Sequence, residues 1–546
     1  MRECSRLGKL LSSGVPRAAG ICFAAVCLCL LSGCTVGPKY VAPAAPTAPA
    51  FKEAAPEAYS SAPPGSWQPA QPQDAVLKGK WWEMFNEPDL NALEEKLDID
   101  NQNIAQYFQN FMAARSQVNE ARAGYYPTLN AVPAVSRSGT GPRGSSVQSS
   151  TTSIASSSTS AGNSSTSSTG GSTSVTSSTT VATTSGSGFV LPLEAAWAPD
   201  LWGRIRNSVH EYQYAAQVSA ADLENERLTE QAALAEYFFE LRGQDSLQDL
   251  YNRTVEADQK SLDLTRSLFE TGIDNQEAVV EAEVTLANAQ EAATGVAINR
   301  ALYEHAIATL VGKPASSFEM PVKGLTTPVP AIPVGVPSQL LERRPDIAAA
   351  ERTMAEANAI IGVEKAAFYP AVNLTGSGGL QSSSVGSLFA LPALFWSLGA
   401  SATQILFDAG LRKATVAQYT ATYNADVAAY KQTVLTAFQQ VEDYIATLRV
   451  TSQQILRQEA AIKSALQYVE IATSRYETGL DPYLDVVTAQ NTLLSDQQAV
   501  VSLRVSEMAA AVELIQALGG GWDTKQLPAP AQITSKDASL QVSTTP

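Results

Sequence analysis

The sequence predicts an α+β membrane protein built from two tandem structural repeats, whose strands close into a β-barrel only when several chains assemble and whose long helices suit a coiled coil or a helical barrel. Three observations carry that reading. Paired landmarks recur at a near-constant spacing, apolar and polar residues alternate in short stretches, and each repeat contains 68 consecutive residues without proline.

The landmarks define the repeats. Tyr126-Pro127 recurs as Tyr369-Pro370, 243 residues on, and Asp200 with Gly203-Arg204 is echoed 208 residues on by Asp408 with Gly410 and Arg412. Glu270-Thr271-Gly272-Ile273-Asp274 returns as Glu477-Thr478-Gly479-Leu480-Asp481 after 207 residues, and Leu310-Val311-Gly312 as Leu518-Gly519-Gly520 after 208. A fixed spacing across separated landmarks marks a duplicated unit. The first repeat is placed at 81–312, a linker at 313–335, and the second repeat at 336–522. The fall from 243 to 208 leaves about 35 extra residues in the first repeat, and they coincide with 137–188, where 32 of 52 residues are Ser or Thr. Such a composition buries no core and reads as a surface loop, with a glycosylated or adhesive tract as the alternative.

Each repeat reads as helix, two strands, long helix, turn, helix. Trp396, Leu398, Ala400 and Ala402 alternate with Ser397, Gly399, Ser401 and Thr403; Val372 and Leu374 alternate with Asn373 and Thr375. In the first repeat Phe189, Leu191, Leu193, Ala195 and Trp197 form one face opposite Glu194. Stretches of about ten residues, apolar outward and polar inward, suit a transmembrane β-barrel, and on the strands alone a soluble sheet with one wet face reads nearly as well. Four strands cannot close a barrel and lipid tolerates no open edge, so a barrel requires several chains; three would supply twelve strands. The proline-free stretches, Arg204–Thr271 and Leu411–Thr478, would each span roughly 100 Å as a helix, a length that suits a coiled coil or a barrel of helices. Gly272 and Gly479 stop them in the left-handed conformation. The next helices are expected to be capped by Asp274, with Glu277 three residues on, and by Asp481, with Pro482 in the first position.

The N-terminus places the chain in the cell envelope. Arg2, Arg6, Lys9 and Arg17 precede the apolar run Ala18–Leu31, too short to span a bilayer and suited to a secretory signal. The run ends Leu31-Ser32-Gly33-Cys34, which resembles a bacterial lipobox. Residues 1–33 are therefore expected to be removed and Cys34 to carry covalent lipid, the only prosthetic group expected; several acyl chains anchor firmly where one does not. Thr35 in place of an aspartate favours the outer membrane by the same resemblance. Processing removes four bases and one acid, taking the net charge from −16 to −19. Residues 34–80, with nine of the 29 prolines, are expected to be an extended tether, with order beginning near Trp81-Trp82, and 523–546 a disordered tail. All five cysteines lie in the first 34 residues, which excludes a disulfide framework or a thiolate metal site in the body, and the two isolated histidines supply no metal centre. The acidic balance argues against a nucleic-acid partner. No clustered acid, base and nucleophile suggests an enzyme.

The chain resembles the TolC-type outer membrane efflux family in its lipoprotein branch. The resemblance rests on LSGCTVGPKY (31–40), WWEMFNEPDL (81–90), ARAGYYPTLN (121–130), DLWGRIR (200–206), LLERRPDIAAAERTMAEANAIIGVEKAAFYPAVNL (340–374), the two Glu-Thr-Gly turns and LGGGW (518–522). It covers nearly the whole chain except the Ser/Thr insert and the tail. It implies a homotrimer, with a 12-stranded barrel in outer membrane lipid continuing into a 12-helix periplasmic tunnel. It also implies a periplasmic adaptor and an inner-membrane pump of the resistance-nodulation-division type as partners, and no catalysis. By the same resemblance Asp485, six residues after Gly479, corresponds to a gate aspartate, and Tyr476 to a tyrosine that ties the closed state. Gly272, Asp274, Gly479 and Asp481 fall at the hairpin tips that face an adaptor. The pattern departs at Ala278, where the family's first-repeat partner is acidic, at Asp481, which replaces a base, and at Thr488, where a second acidic ring can occur. One acidic ring is expected, and the full latch is left open. A type I protein-secretion duct shares this architecture; a non-conducting structural or adhesive surface lipoprotein, motivated by the Ser/Thr tract, is the alternative of a different class.

Overall fold

The computed structural model describes residues 36–46, 51–53, 79–139, 185–333 and 340–534. Cys34 and the signal segment 1–33 lie outside the described residues, as do most of the tether, the Ser/Thr insert from 140 to 184, and the tail beyond 534. The chain divides into a helical unit (up to Ala123, Asp200–Tyr369, and from Leu406 on) and a sheet unit (Gly124–Pro199 and Pro370–Ile405), each drawing on both repeats.

In the helical unit, α1 (Pro88–Asp100) and α2 (Gln102–Ala123) precede the long α3 (Arg204–Glu270) and α4 (Gln276–Leu310). In the second repeat α5 (Pro345–Ala366), α6 (Leu411–Glu477) and α7 (Tyr483–Ala517) follow. The duplication is visible in the lengths: α2 and α5 both have 22 residues, α3 and α6 both have 67, and α4 and α7 both have 35. Both long helices start on the Asp/Gly landmark. Asp200 accepts from the Ile205 and Arg206 amides, Asp408 from those of Gly410 and Arg412, while Gly203 and Gly410 hold φ of 76° and 89°. The landmarks are thus helix starts, with side-chain acceptors for amides that a first turn leaves unbonded. The ends of the two shorter hairpin helices also match. Asn101 donates to the Leu310 carbonyl (2.9 Å), and Arg344 to that of Ala517 (2.9 Å).

The main core gathers Trp81, Trp82 and Phe85 with Phe238, Phe239, Ile307, Leu514 and Ile515. A buried ion network borders it: Arg242 bonds Asp89 (2.9 Å) and the Pro321 carbonyl (2.6 Å), and Asp245 receives Arg300 (2.7 Å) and the Lys323 amide (2.9 Å). These bonds seat the linker, whose described residues form no strand or long helix yet bury Met320 and Ile332. A charge kept from water is stable only when so satisfied.

Two expectations about disorder are corrected. Order begins well before Trp81. The Val36 amide bonds the Trp202 carbonyl (3.1 Å), the Tyr40 hydroxyl bonds Glu351 (2.5 Å), and the Lys52 and Glu53 amides bond Glu442 (2.6 and 2.8 Å). The described part of the tail, 523–534, is likewise packed: a short helix, Pro530–Thr534, buries Ile533 against Val118 and Ala216, while Arg115 and Arg122 donate to its carbonyls. Composition flagged both segments because neither carries a periodic apolar face; their partners lie hundreds of residues away.

In the sheet unit, β1 (Thr128–Ala131) and β2 (Ala134–Gly139) are one strand interrupted at Val132-Pro133, and both pair with β3 (Ser185–Trp197). β4 (Ala371–Ser382) and β5 (Leu394–Thr403) complete four antiparallel rails. The register joins Leu193, Gly378 and Trp396, then Ala195, Gly376 and Leu398, then Trp197, Leu374 and Ala400, on one face. The opposite face aligns Asn130, Glu194, Ser377 and Ser397. The alternation read along each strand therefore becomes a continuous apolar face, on which Trp396 and Leu398 are 75% and 81% exposed. Among the described residues no helix is long and apolar enough to cross a membrane. Among the described residues the rails formed by β1/β2 and by β5 each pair on one side only, which is the edge that hydrocarbon forbids unless another strand covers it.

Candidate functional site: the two hairpin tips

The two turns at the far ends of the long helices are built alike. Gly272 (φ 75°) follows α3, with its amide on the Phe269 carbonyl and that of Ile273 on Leu268, both 2.9 Å. Gly479 (φ 70°) follows α6 with the Tyr476 and Arg475 carbonyls in the same roles, again at 2.9 Å. This double bond around a left-handed glycine is the Schellman stop, so both glycines act as the sequence predicts.

The aspartates do not. Asn275, not Asp274, caps α4, its Oδ1 accepting from the Ala278 amide at 3.0 Å. α7 follows Pro482 with no side-chain cap. The chain advances one residue further before each helix starts, and that releases both carboxylates for tertiary work. Asp274 accepts a hydrogen bond from the Tyr476 hydroxyl, which joins the α3–α4 hairpin to the α6–α7 hairpin. Asp481 takes a two-point ion pair from Arg475 within its own hairpin, with Nη2 to Oδ1 at 2.8 Å.

Tyr476 is 4% exposed. Its ring lies 5.3 Å from that of Tyr483, its hydroxyl also meets the Thr265 Oγ1 at 3.3 Å, and the Tyr483 hydroxyl meets that of Ser261 at 3.1 Å. Leu262, Ala282, Leu286, Ala472 and Val486 pack around the pair. Burial, then the Asp274 carboxylate, push the Tyr476 phenol well above its ordinary range, so it remains a neutral donor. Burial raises Asp258, beside Tyr483, to about 6. The Arg475 hydrogen bond lowers Asp481, and the reverse bond raises Arg475, to which the Asp485 charge adds. A cavity of about 240 Å³ between the tips is lined by Leu268, Ile273, Asp274, Tyr476, Leu480 and Asp481, among others.

The structure thus gathers Gly272, Asp274, Gly479, Asp481, Tyr476 and Asp485 at one end of the helical unit, with Asp485 half-buried in the first turn of α7. Ala278 is buried in the apolar cluster and offers no acid, as the sequence states, but the tyrosine has an acidic partner all the same: Asp274, four residues earlier. Arg475 was missed by sequence reasoning, and so were Thr265 and Ser261. Arg475 had a signal, a base and an acid six residues apart across a glycine turn. The serine and threonine had none, because a hydroxyl on a long polar helix is unremarkable until a tyrosine meets it.

A sheet with an apolar face and paired helical hairpins are the parts of the TolC-type outer membrane channel fold. Residues 94–313 and 336–520 match the outer membrane efflux protein family, and the chain belongs to that family. It is 28% identical over 515 residues to the antibiotic efflux pump outer membrane protein ArpC of Pseudomonas putida, covering 91% of this chain and 95% of that one. Outer membrane protein OprJ of Pseudomonas aeruginosa is 29% identical over 513 residues, 90% and 94% of the two chains. Among solved structures, the Campylobacter jejuni CmeC outer membrane channel superposes with a TM-score of 0.75 at 20% identity, covering 91% of this chain and 97% of its own. The open state of the Neisseria gonorrhoeae MtrE channel gives 0.71 at 24%, covering 89% and 98%. The fold is that of these channels, a β domain with a helical barrel, and the protein is an efflux component of the outer membrane.

Proposed function

We propose that three copies of this chain form the exit duct of a tripartite efflux system. The duct passes small molecules from an inner-membrane pump of the resistance-nodulation-division type, through a periplasmic adaptor, to the exterior. The observation that carries the proposal is the four-railed sheet: its apolar face suits lipid, and its two outer rails call for strands from other copies, which three chains supply as a twelve-stranded barrel. Relatives named for antibiotic and toluene efflux support small organic cargo. Cys34 carries the lipid anchor in this reading, and the chain performs transport without a catalytic step. The tips are its closure. The Tyr476–Asp274 bond holds the two hairpins together, and three copies of Asp485 around an axis concentrate negative potential, favouring cations at the constriction. The test is the mass and conductance of the purified protein in planar bilayers. A trimer with discrete, cation-favouring current steps is expected; a monomer, or a trimer that carries no current, overturns the reading.

A further inference from the structure

The opposite end of the helical unit from the tips has a charge character unlike the rest of the chain. The chain passes between helices and sheet four times, at 123/124, 199/200, 369/370 and 405/406. In the nine helical-unit residues that flank each passage there are seven bases and four acids, in a protein whose net charge is −16. Asp200 and Asp408 accept from the amides of the helix starts, Arg115 and Arg122 donate to carbonyls of the Pro530–Thr534 helix, and Arg412 pairs with Asp408, so the bases left exposed carry the excess.

The bases are also misplaced for helix stability. Arg204 and Arg206 open α3, Arg412 and Lys413 open α6, and neither first turn holds an acid. The positive end of a helix dipole disfavours such cations. Arg412 offsets this with its Asp408 ion pair, whereas Arg204 and Lys413 are exposed. The pattern occurs in both repeats, so each chain presents it twice.

Two further features share this end. Phe407 and Leu406 are 86% and 91% exposed, and Phe368 lies under the Arg412 guanidinium at 5.3 Å. The segment that follows Cys34 is fastened there too: the Val36 amide bonds the Trp202 carbonyl at 3.1 Å, the Asn207 amide group bonds the Val36 carbonyl at 3.2 Å, and exposed Lys39 follows. A lipid carried on Cys34 is therefore tethered within two residues of this end. Exposed apolar side chains beside exposed cations are the pattern of a protein seated at an anionic lipid surface, where each base is worth roughly fivefold in affinity.

We infer that this end is a collar that docks the anionic phospholipid headgroups of the adjoining membrane leaflet, with Lys39, Arg204 and Lys413 supplying the charge and Phe407 and Leu406 entering the acyl region. The inference rests on the reading of the sheet as a membrane barrel. It makes the collar selective for anionic over zwitterionic lipid.

The test uses the full-length lipidated protein purified in detergent. It is exchanged against phosphatidylglycerol and phosphatidylethanolamine of identical acyl chains, and retained lipid is counted by native mass spectrometry. Phosphatidylglycerol retention should exceed phosphatidylethanolamine by at least roughly fivefold, and the ratio should fall towards one at high salt and in the triple variant Lys39→Gln, Arg204→Gln, Lys413→Gln. Equal retention by the parent, or an undiminished ratio in the triple variant, overturns the inference. Displacement of the lipid by inorganic phosphate at equal concentration also overturns it, since that identifies a small-anion site. Single-channel conductance, measured on the same samples, should match between parent and variant. If the parent itself carries no current, the duct reading fails while the lipid ratio remains readable.

Discussion

Replacing Tyr476 by phenylalanine removes one hydroxyl and leaves the ring against Tyr483. The lost contacts are the bond to the Asp274 carboxylate and the weaker one to Thr265 at 3.3 Å. A hydrogen bond to a charged group contributes about 1.5–3 kcal/mol, so each lost tie favours release of the two hairpins by roughly tenfold or more. If three copies must part together, the closed state loses about 5–9 kcal/mol. The expected result is a rise in open-channel probability in planar bilayers, with unitary conductance in the open state preserved because no pore dimension of the open form is changed. Asp274→Asn should open the channel less, since the amide oxygen still accepts the bond without its charge. The double variant Tyr476→Phe/Asp274→Asn should add little to Tyr476→Phe alone, because both remove one interaction. The reasoning is refuted if Tyr476→Phe leaves the open probability at the parent value, or if the two substitutions add in full.

Asp485→Ala should raise the current and lessen cation preference, since it removes a ring of like charge from the expected constriction; an unchanged single-channel current and reversal potential would count against a gate role. Glu94 in α1 is fully buried with neither carboxyl oxygen hydrogen-bonded, and burial, then Asp98, raise its pKa well above the usual range. A folded-state value above the unfolded one gives stability that is present below the unfolded pKa and lost as pH rises towards the folded one, so Glu94→Gln should match the parent's Tm near pH 4 and exceed it at pH 8, as a thermal melt series would show. Gly519→Ala forces a Cβ onto the Arg343 carbonyl at φ 94°, whereas a Cβ at Gly272, φ 75°, meets nothing within 4 Å. The first should cost several kcal/mol and the second about 1 kcal/mol, and equal melting temperatures for the two variants would contradict this.

Most of the fold was legible because it is written in local repeats of residue type. The proline-free runs reach within one residue of the helix ends, the glycines mark both stops, and the strand alternation survives as a continuous face once the register is known. The candidate site was legible only as a set of positions. Asp274 and Asp481 fit a helix-cap pattern as well as any aspartate two residues past a glycine, and nothing local says that Asn275 and Pro482 take the cap positions instead. The early ordered segment and the tail helix were missed for a related reason. Neither has periodicity, and each is held by a few isolated side chains, Tyr40 in the first and Ile533 in the second, together with backbone amides and carbonyls whose partners lie far away in sequence.

The sequence by itself determined the duplication, the helix lengths, the left-handed turns and the two-faced strands, because each follows from the conformational preferences and spacing of neighbouring residues. Tertiary structure alone decided what the tip aspartates do. Tyr476 and Asp274 are 202 residues apart, and whether a carboxylate caps its own helix or ties another hairpin depends on which donor the packing of four helices brings within hydrogen-bond reach. Arg475 stays within its hairpin and claims Asp481, Tyr476 crosses between hairpins and claims Asp274, and the same residue type at equivalent positions of the two repeats is thereby given two different tasks.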